Sequence, residues 1–256
     1  MRLTLDLVAA RLAAAGCVAA RAEAVALTSA TRDDTVLEAL VSRRERGEPL
    51  AWITGTTRFC GHTVRVHPGV YVPRPQSEDL ARRAAALLAA CGNRPRAADL
   101  CTGSGAVAVH LMAAVTTASV VGVDASTRAA ACARSNGVPV VVGDLGRPLG
   151  SDAFDVVTAV APYVPTPDLA LLPSDVRDHE PPLGLDGGAD GLDVVRRVVE
   201  SAARVLRHGG WLLTEVGGSQ DRVLAAALAA GGFGPVEAWF DADGDLRGVA
   251  ARHSTR

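Results

Sequence analysis

The chain has 256 residues, 48% of them hydrophobic, enough for one large domain or two small ones with a full core. Its net charge of −2 excludes a general binder of nucleic acid or membrane surface, and no apolar run is long and uninterrupted enough to span a bilayer. The five cysteines are scattered and never form a Cys-x-x-Cys pair, which excludes a zinc site or a disulfide framework and points to reduced thiols in the cytoplasm.

The first six residues, Met1 to Asp6, carry no signal-peptide pattern. Residues 1–46 read as Ala-rich helices with Leu5, Leu7, Val8, Leu12 and Val18 as the apolar positions. Asp33 and Asp34 open a third helix over Val36 to Arg44, and Gly47 stops it. Residues 1–47 are therefore expected to form an N-terminal helical domain. Beyond them the character changes. Thr57 to Val66 alternates β-branched and polar residues around Gly61, the pattern of a hairpin, with Trp52 as an anchor before it. Pro73 and Pro75 then fix an extended approach, so residues 48–75 are expected to be a β-hairpin linker.

A helix is predicted over Ser77 to Ala90. From Ala97 strands and helices alternate, with strands at 97–101, 119–123, 138–142 and 155–160 and helices at 105–114 and 126–135. Such alternation implies an α/β fold, a parallel sheet covered by helices on both faces. Pro162 to Gly191 is a long connection rich in Pro and Gly, of a length that is usually functional. A helix over 192–206, a strand over 211–216, a helix over 220–230 and two strands at 236–240 and 246–250 complete residues 76–256.

Three successive strands run into acids: Asp99, Asp124 and Asp144. They gather at the carboxyl edge of the sheet, where open α/β sheets bind ligands. Between the first two lies Cys101-Thr102-Gly103-Ser104-Gly105, a tight loop that opens a helix and brings backbone N–H groups close to a ligand. A nicotinamide dinucleotide and S-adenosyl-L-methionine both suit such a loop. Nearly a hundred residues precede it, and Asp99 stands four residues before the first glycine. Both points favour the cationic sulfonium cofactor.

After the fourth strand comes Val160-Ala161-Pro162-Tyr163. Together with Gly47 to Gly55, Phe59, Gly61, Val72 to Glu78, Gly143-Asp144, His179-Glu180-Pro181, Leu185 to Leu192, Glu215-Val216-Gly217 and Gln220, it resembles the N5-glutamine methyltransferases of peptide-chain release factors over nearly the whole chain. The resemblance implies a Rossmann-like, seven-stranded class I methyltransferase domain behind a helical domain and a hairpin. It implies S-adenosyl-L-methionine as cofactor and a protein partner, with no direct nucleic-acid or membrane partner. It further implies that Asp99 and the loop Cys101, Thr102, Gly103, Ser104 and Gly105 hold the methionine end, Asp124 the ribose, and Asp144 with Leu145 the adenine. The family's Asn-Pro-Pro-Tyr motif, which orients the substrate glutamine amide, falls on Val160, Ala161, Pro162 and Tyr163.

Two residues depart from the family pattern. Cys101 replaces a loop glycine, and Val160 stands where the catalytic Asn belongs. An Asn side chain accepts an N–H from the substrate; a valine offers no acceptor. Methylation of a small molecule, and a catalytically weak cofactor-binding homologue, are the alternatives that Val160 keeps open; a nucleic-acid methylase lacks any supporting basic patch. Arg74 is expected over the cofactor site or at a hinge, Glu180 on the loop surface, and Glu215 in a structural role. The histidines have no spacing for a metal or a triad.

Overall fold

The structure is a computed structural model and describes residues 3–254. Three helices, α1 (Leu5–Ala14), α2 (Ala20–Ala30) and α3 (Asp34–Glu45), come first. Thr4 caps α1 by accepting the Leu7 N–H, and Asp33 caps α3 by accepting from Thr35 and Val36. Each cap satisfies a backbone donor that the helix cannot. Val8, Leu12, Ala24, Leu27, Leu37 and Val41 pack into one cluster with Ile53. Val18, one of the apolar positions of this segment, is fully exposed in the turn before α2. The expected helical segment's first two residues lie outside the described residues.

A short helix, α4 (Leu50–Thr54), precedes the hairpin and was not legible as one. It ends at Gly55, whose φ of +75° lies in the left-handed region open to glycine. The antiparallel strands β1 (Thr56–Phe59) and β2 (His62–Arg65) follow. Trp52 is the anchor expected: its indole N–H donates to the Val70 carbonyl at 2.9 Å.

The remaining elements are α5 (Ser77–Ala90), β3 (Arg96–Leu100), α6 (Ala106–Ala114), β4 (Ser119–Asp124), α7 (Thr127–Ser135), β5 (Val140–Val142), β6 (Phe154–Ala159), α8 (Ser174–Arg177), α9 (Asp193–Val205), β7 (Leu206–Glu215), α10 (Gln220–Ala230), β8 (Phe233–Phe240) and β9 (Leu246–His253). The long connection after β6 is thus folded into α8 and two 3-10 turns, Thr166–Leu171 and Pro182–Gly184. The sheet has seven strands in the order β5-β4-β3-β6-β7-β9-β8. The first five are parallel, while β9 pairs antiparallel with both β7 and β8. The sheet is therefore mixed, because a tight turn between β8 and β9 permits only antiparallel neighbours. Apolar clusters fill both faces, one against α9 and α10, the other against α5 and α6.

Strand order reverses between β3 and β6, which are neighbours in space but separated in sequence by β4 and β5. A crevice opens beyond the carboxyl ends at such a switch point. Leu100 pairs with Ala159 there, so Cys101 and Val160 are the first residues past the edge.

Candidate functional site

The first cleft is built on the loop after β3. Thr102 N–H donates to the Val123 carbonyl at 3.1 Å, and Gly105 N–H to the Thr102 carbonyl at 2.7 Å. These bonds wind the chain so tightly that Cys101, Gly103 and Gly105 have φ of +55°, +57° and +82°. Cys101 occupies a left-handed position that favours glycine, which gives its departure from the family pattern a physical cost of about 1–2 kcal/mol. Gly105 has a second constraint. A Cβ there would lie 2.8 Å from Val138 Cγ2 and 3.1 Å from Ala133 Cβ. Gly105→Ala is expected to cost roughly 2–4 kcal/mol and to shift the unfolding midpoint in urea accordingly. An unchanged midpoint would show that the loop can relax.

Asp99 is buried beneath the loop. Its carboxylate accepts from Thr102 Oγ1 at 2.6 Å and from Thr158 Oγ1 at 2.7 Å. Burial pushes it up to about 6, against the pull of these two hydroxyls. Both oxygens brace the loop and β6, although the residue still lines the cleft. Asp124, at the end of β4, accepts the Gly103 N–H at 2.9 Å and the Ser126 N–H at 2.8 Å. Burial raises its carboxyl and the two amides lower it. Asp144 is partly exposed, and both of its oxygens lie 2.6 Å from Arg197 Nη2. Arg197 lines the cleft as well and had no sequence signal, since it sits on α9, distant in the chain. Leu145, buried with φ of +49°, closes the apolar side.

A second cleft lies between the N-terminal helices and the connection after β6. Its lining includes Cys17, Arg44, Arg74, Ala161, Tyr163 and His179. Tyr71, Val160 and Gly184 line both clefts, so the two meet at these residues. Pro162 faces the first cleft, and Ala161 is buried beside the second. Tyr163 is fixed from behind: Gln220 Nε2 donates to its carbonyl at 3.0 Å, while Gln220 Oε1 accepts the Gly217 N–H at 2.9 Å.

Two carboxylates near this junction are buried. Glu180 is not a surface residue; it is 3% exposed, ion-paired with Arg74, and accepts the Val72 N–H at 3.1 Å. The Arg74 guanidinium also lies 4.9 Å from the Tyr71 ring centre. Arg74 thus ties the approach to α5 onto the connection, a hinge contact. Glu215 is 2% exposed, and its carboxyl faces the hydroxyls of Ser77 and Tyr163 without either reaching full hydrogen-bond geometry.

The first cleft contains about 1240 Å³ of empty space, open to solvent at its mouth. Its lining combines the carboxylate of Asp124, an acceptor suited to vicinal hydroxyls, with apolar walls at Val123 and Leu145 and the backbone of the loop. This suits a nucleoside joined to a charged amino-acid end, and S-adenosyl-L-methionine has that form. Among the described residues no group of three or more His, Cys, Asp or Glu is arranged to hold a metal, and no helix is long and apolar enough to cross a membrane.

Residues 97–180 match a family model described as a methyltransferase domain. The release factor glutamine methyltransferase of Geobacter sulfurreducens is 39% identical over 200 residues, covering 76% of this chain and 69% of that protein. A 4-amino-L-phenylalanine/4-methylamino-L-phenylalanine methyltransferase of Streptomyces pristinaespiralis is also 39% identical, over 202 residues, with 75% and 69% covered. Among solved structures, the ribosomal protein L11 methylase from Lactobacillus delbrueckii subsp. bulgaricus has a TM-score of 0.54 at 18% identity, over 75% of this chain and 86% of that one. That likeness concerns the fold. The sheet order, the loop and these relatives lead to one conclusion: the chain is an S-adenosyl-L-methionine-dependent methyltransferase and belongs to the release factor glutamine methyltransferase family.

Proposed function

We propose that the protein methylates the side-chain amide nitrogen of a glutamine in a peptide-chain release factor. The observation that carries this reading is the junction of the two clefts at Tyr71, Val160 and Gly184. A cofactor in the first cleft and a protein loop inserted through the second would meet there. When bound, S-adenosyl-L-methionine supplies an electrophilic methyl carbon and a neutral thioether leaving group. The loop Cys101 to Gly105, with Asp99 bracing it, would hold the methionine end. Asp124 would accept hydrogen bonds from the ribose hydroxyls, and Asp144 and Leu145 would flank the adenine. The Ala161 carbonyl accepts one N–H of the substrate, Pro162 and Tyr163 confine it, and Val160 gives an apolar wall. The chain contributes chiefly by alignment and exclusion of water.

A methyl-transfer assay read by peptide mass tests this. Wild type and Val160→Asn would each meet cofactor and an unmethylated release factor. Wild type is expected to add one methyl to a single glutamine, and Val160→Asn to raise kcat by roughly tenfold or more, the worth of one restored polar contact. If neither adds a methyl while both bind S-adenosylhomocysteine, the release-factor reading fails. A second reading then stands first, methylation of an amine on a small molecule. Val160 favours it specifically, because an amine nitrogen has a more available lone pair than a carboxamide and depends less on an acceptor that activates its N–H, and the S. pristinaespiralis relative is named for an aromatic amine.

A further inference from the structure

The last rung of the parallel ladder between β6 and β7 pairs Ala159 with Thr214, so Val160 and Glu215 are the residues that follow it on two neighbouring segments, where paired strands lie about 4.8 Å apart. Side chains in register on parallel neighbours share a face. Glu215 therefore projects to the same side of the sheet as Val160, under the N-terminus of α5. Its neighbours there are Ser77 on α5, Tyr163 after β6, and Arg247 on β9. Ser77 Oγ is itself buried without a partner. A carboxyl and a hydroxyl left unpaired in one place are costly, and such groups call for an explanation.

We propose that Glu215, acting through the phenol of Tyr163, takes over the role of the missing Asn as the acceptor for the N–H of the methylated nitrogen. This rests on the reading of the second cleft as the acceptor side. Tyr163 lines that cleft, and Glu215 stands behind it. With substrate in place the phenol, already beside the carboxyl, turns to donate its hydrogen to the Glu215 carboxylate and its lone pairs to the substrate N–H. As the nitrogen's lone pair forms the new N–C bond, the methyl C–S bond breaks and its electron pair stays on sulfur. The nitrogen's proton passes to the phenol oxygen, and the phenol's own proton passes to Glu215. The carboxylic acid so formed returns its proton to water when product leaves. Burial raises Tyr163 far above its usual value, so the phenol remains protonated and serves as a relay. The same burial pushes Glu215 up to about 7, where a carboxylate can both accept and release a proton at neutral pH. Glu215 is thus a positioning and proton-accepting residue that works through Tyr163.

The test compares wild type, Glu215→Gln, Glu215→Asp and Tyr163→Phe, first on unmethylated release factor and then on 4-amino-L-phenylalanine. On whichever acceptor wild type methylates, Glu215→Gln and Tyr163→Phe are expected to lose about a hundredfold in kcat with KM changed less than threefold. Wild-type kcat is expected to rise with pH through about 7, the variant's to be flat, and Glu215→Asp to recover part of the rate. Binding of S-adenosylhomocysteine should be equal in all four, and Glu215→Gln should abolish the pH dependence of unfolding that the buried carboxyl confers. Methylation of the amine but not of release factor refutes the release-factor reading and leaves the role of Glu215 supported if these losses appear. Equal kcat in wild type and Glu215→Gln overturns the proposal, as does a wild type that methylates neither acceptor.

Discussion

Asp124→Ala is expected to weaken S-adenosylhomocysteine binding by roughly a hundredfold, as isothermal titration would read it. A hydrogen bond to a charged group contributes about 1.5–3 kcal/mol, and a carboxylate facing two ribose hydroxyls has two to make. The effect does not depend on the methyl acceptor, so it tests the cofactor site alone. Asp124 also accepts the Gly103 and Ser126 N–H groups, and its loss frees both. Removing a carboxylate whose charged form is disfavoured by burial offsets part of that cost. The fold should therefore survive with a loss of no more than about 2 kcal/mol in urea unfolding. Asp124→Asn keeps one acceptor oxygen and should fall between. Unchanged affinity in the alanine variant would remove Asp124 from the site.

Glu215→Gln is expected to stabilise the cofactor-free protein at pH 8 and to leave it unchanged near pH 4. Burial raises the folded-state value from 4.5 to about 7. The folded chain then holds a proton that the unfolded chain has already released. Stability from this group is complete below pH 4.5 and is lost as pH rises through 7, a difference of about 3 kcal/mol at 1.36 kcal/mol per unit. A neutral amide has no such dependence. At pH 8 the variant should therefore melt roughly 6–12 °C above wild type, by the usual conversion for a chain of this size. Asp99, pushed up to about 6 by its own burial, changes stability in the same direction but equally in both proteins, so it cancels. A parallel pair of melting curves from pH 4 to 8 would show that Glu215 finds a partner when the protein is in solution.

Local patterns carried most of the architecture. The helix Ser77–Ala90 and the helix Gln220–Ala230 follow directly from apolar spacing and flanking glycines. Asp124 was legible as the end of a strand, because the apolar run of β4 leads straight to it. Less legible was whatever depends on distant segments. β7 begins at Leu206 rather than 211, because the residues that extend it find their partner at Phe154 on β6. Glu180 reads as a loop carboxylate until Arg74, a hundred residues earlier, folds onto it. Arg197 likewise becomes visible only when α9 is laid beside Asp144. Glu215 reads as an ordinary strand end. Its importance lies in what surrounds it, two hydroxyl-bearing residues and no hydrogen-bond partner, and spacing along one chain cannot express that.

Val160 at the meeting point of the clefts bears on how many methyl groups a single nitrogen can receive. A wall with two acceptors demands two hydrogens from the incoming nitrogen, and a nitrogen that already carries a methyl has one fewer to give. Such a wall turns its own product away. Valine takes one acceptor out of the wall itself and leaves a surface that a methyl group can rest against, while the Tyr163 phenol restores the demand from farther back. The site then still asks for both hydrogens of the incoming nitrogen, and a nitrogen that already carries a methyl has one too few to return.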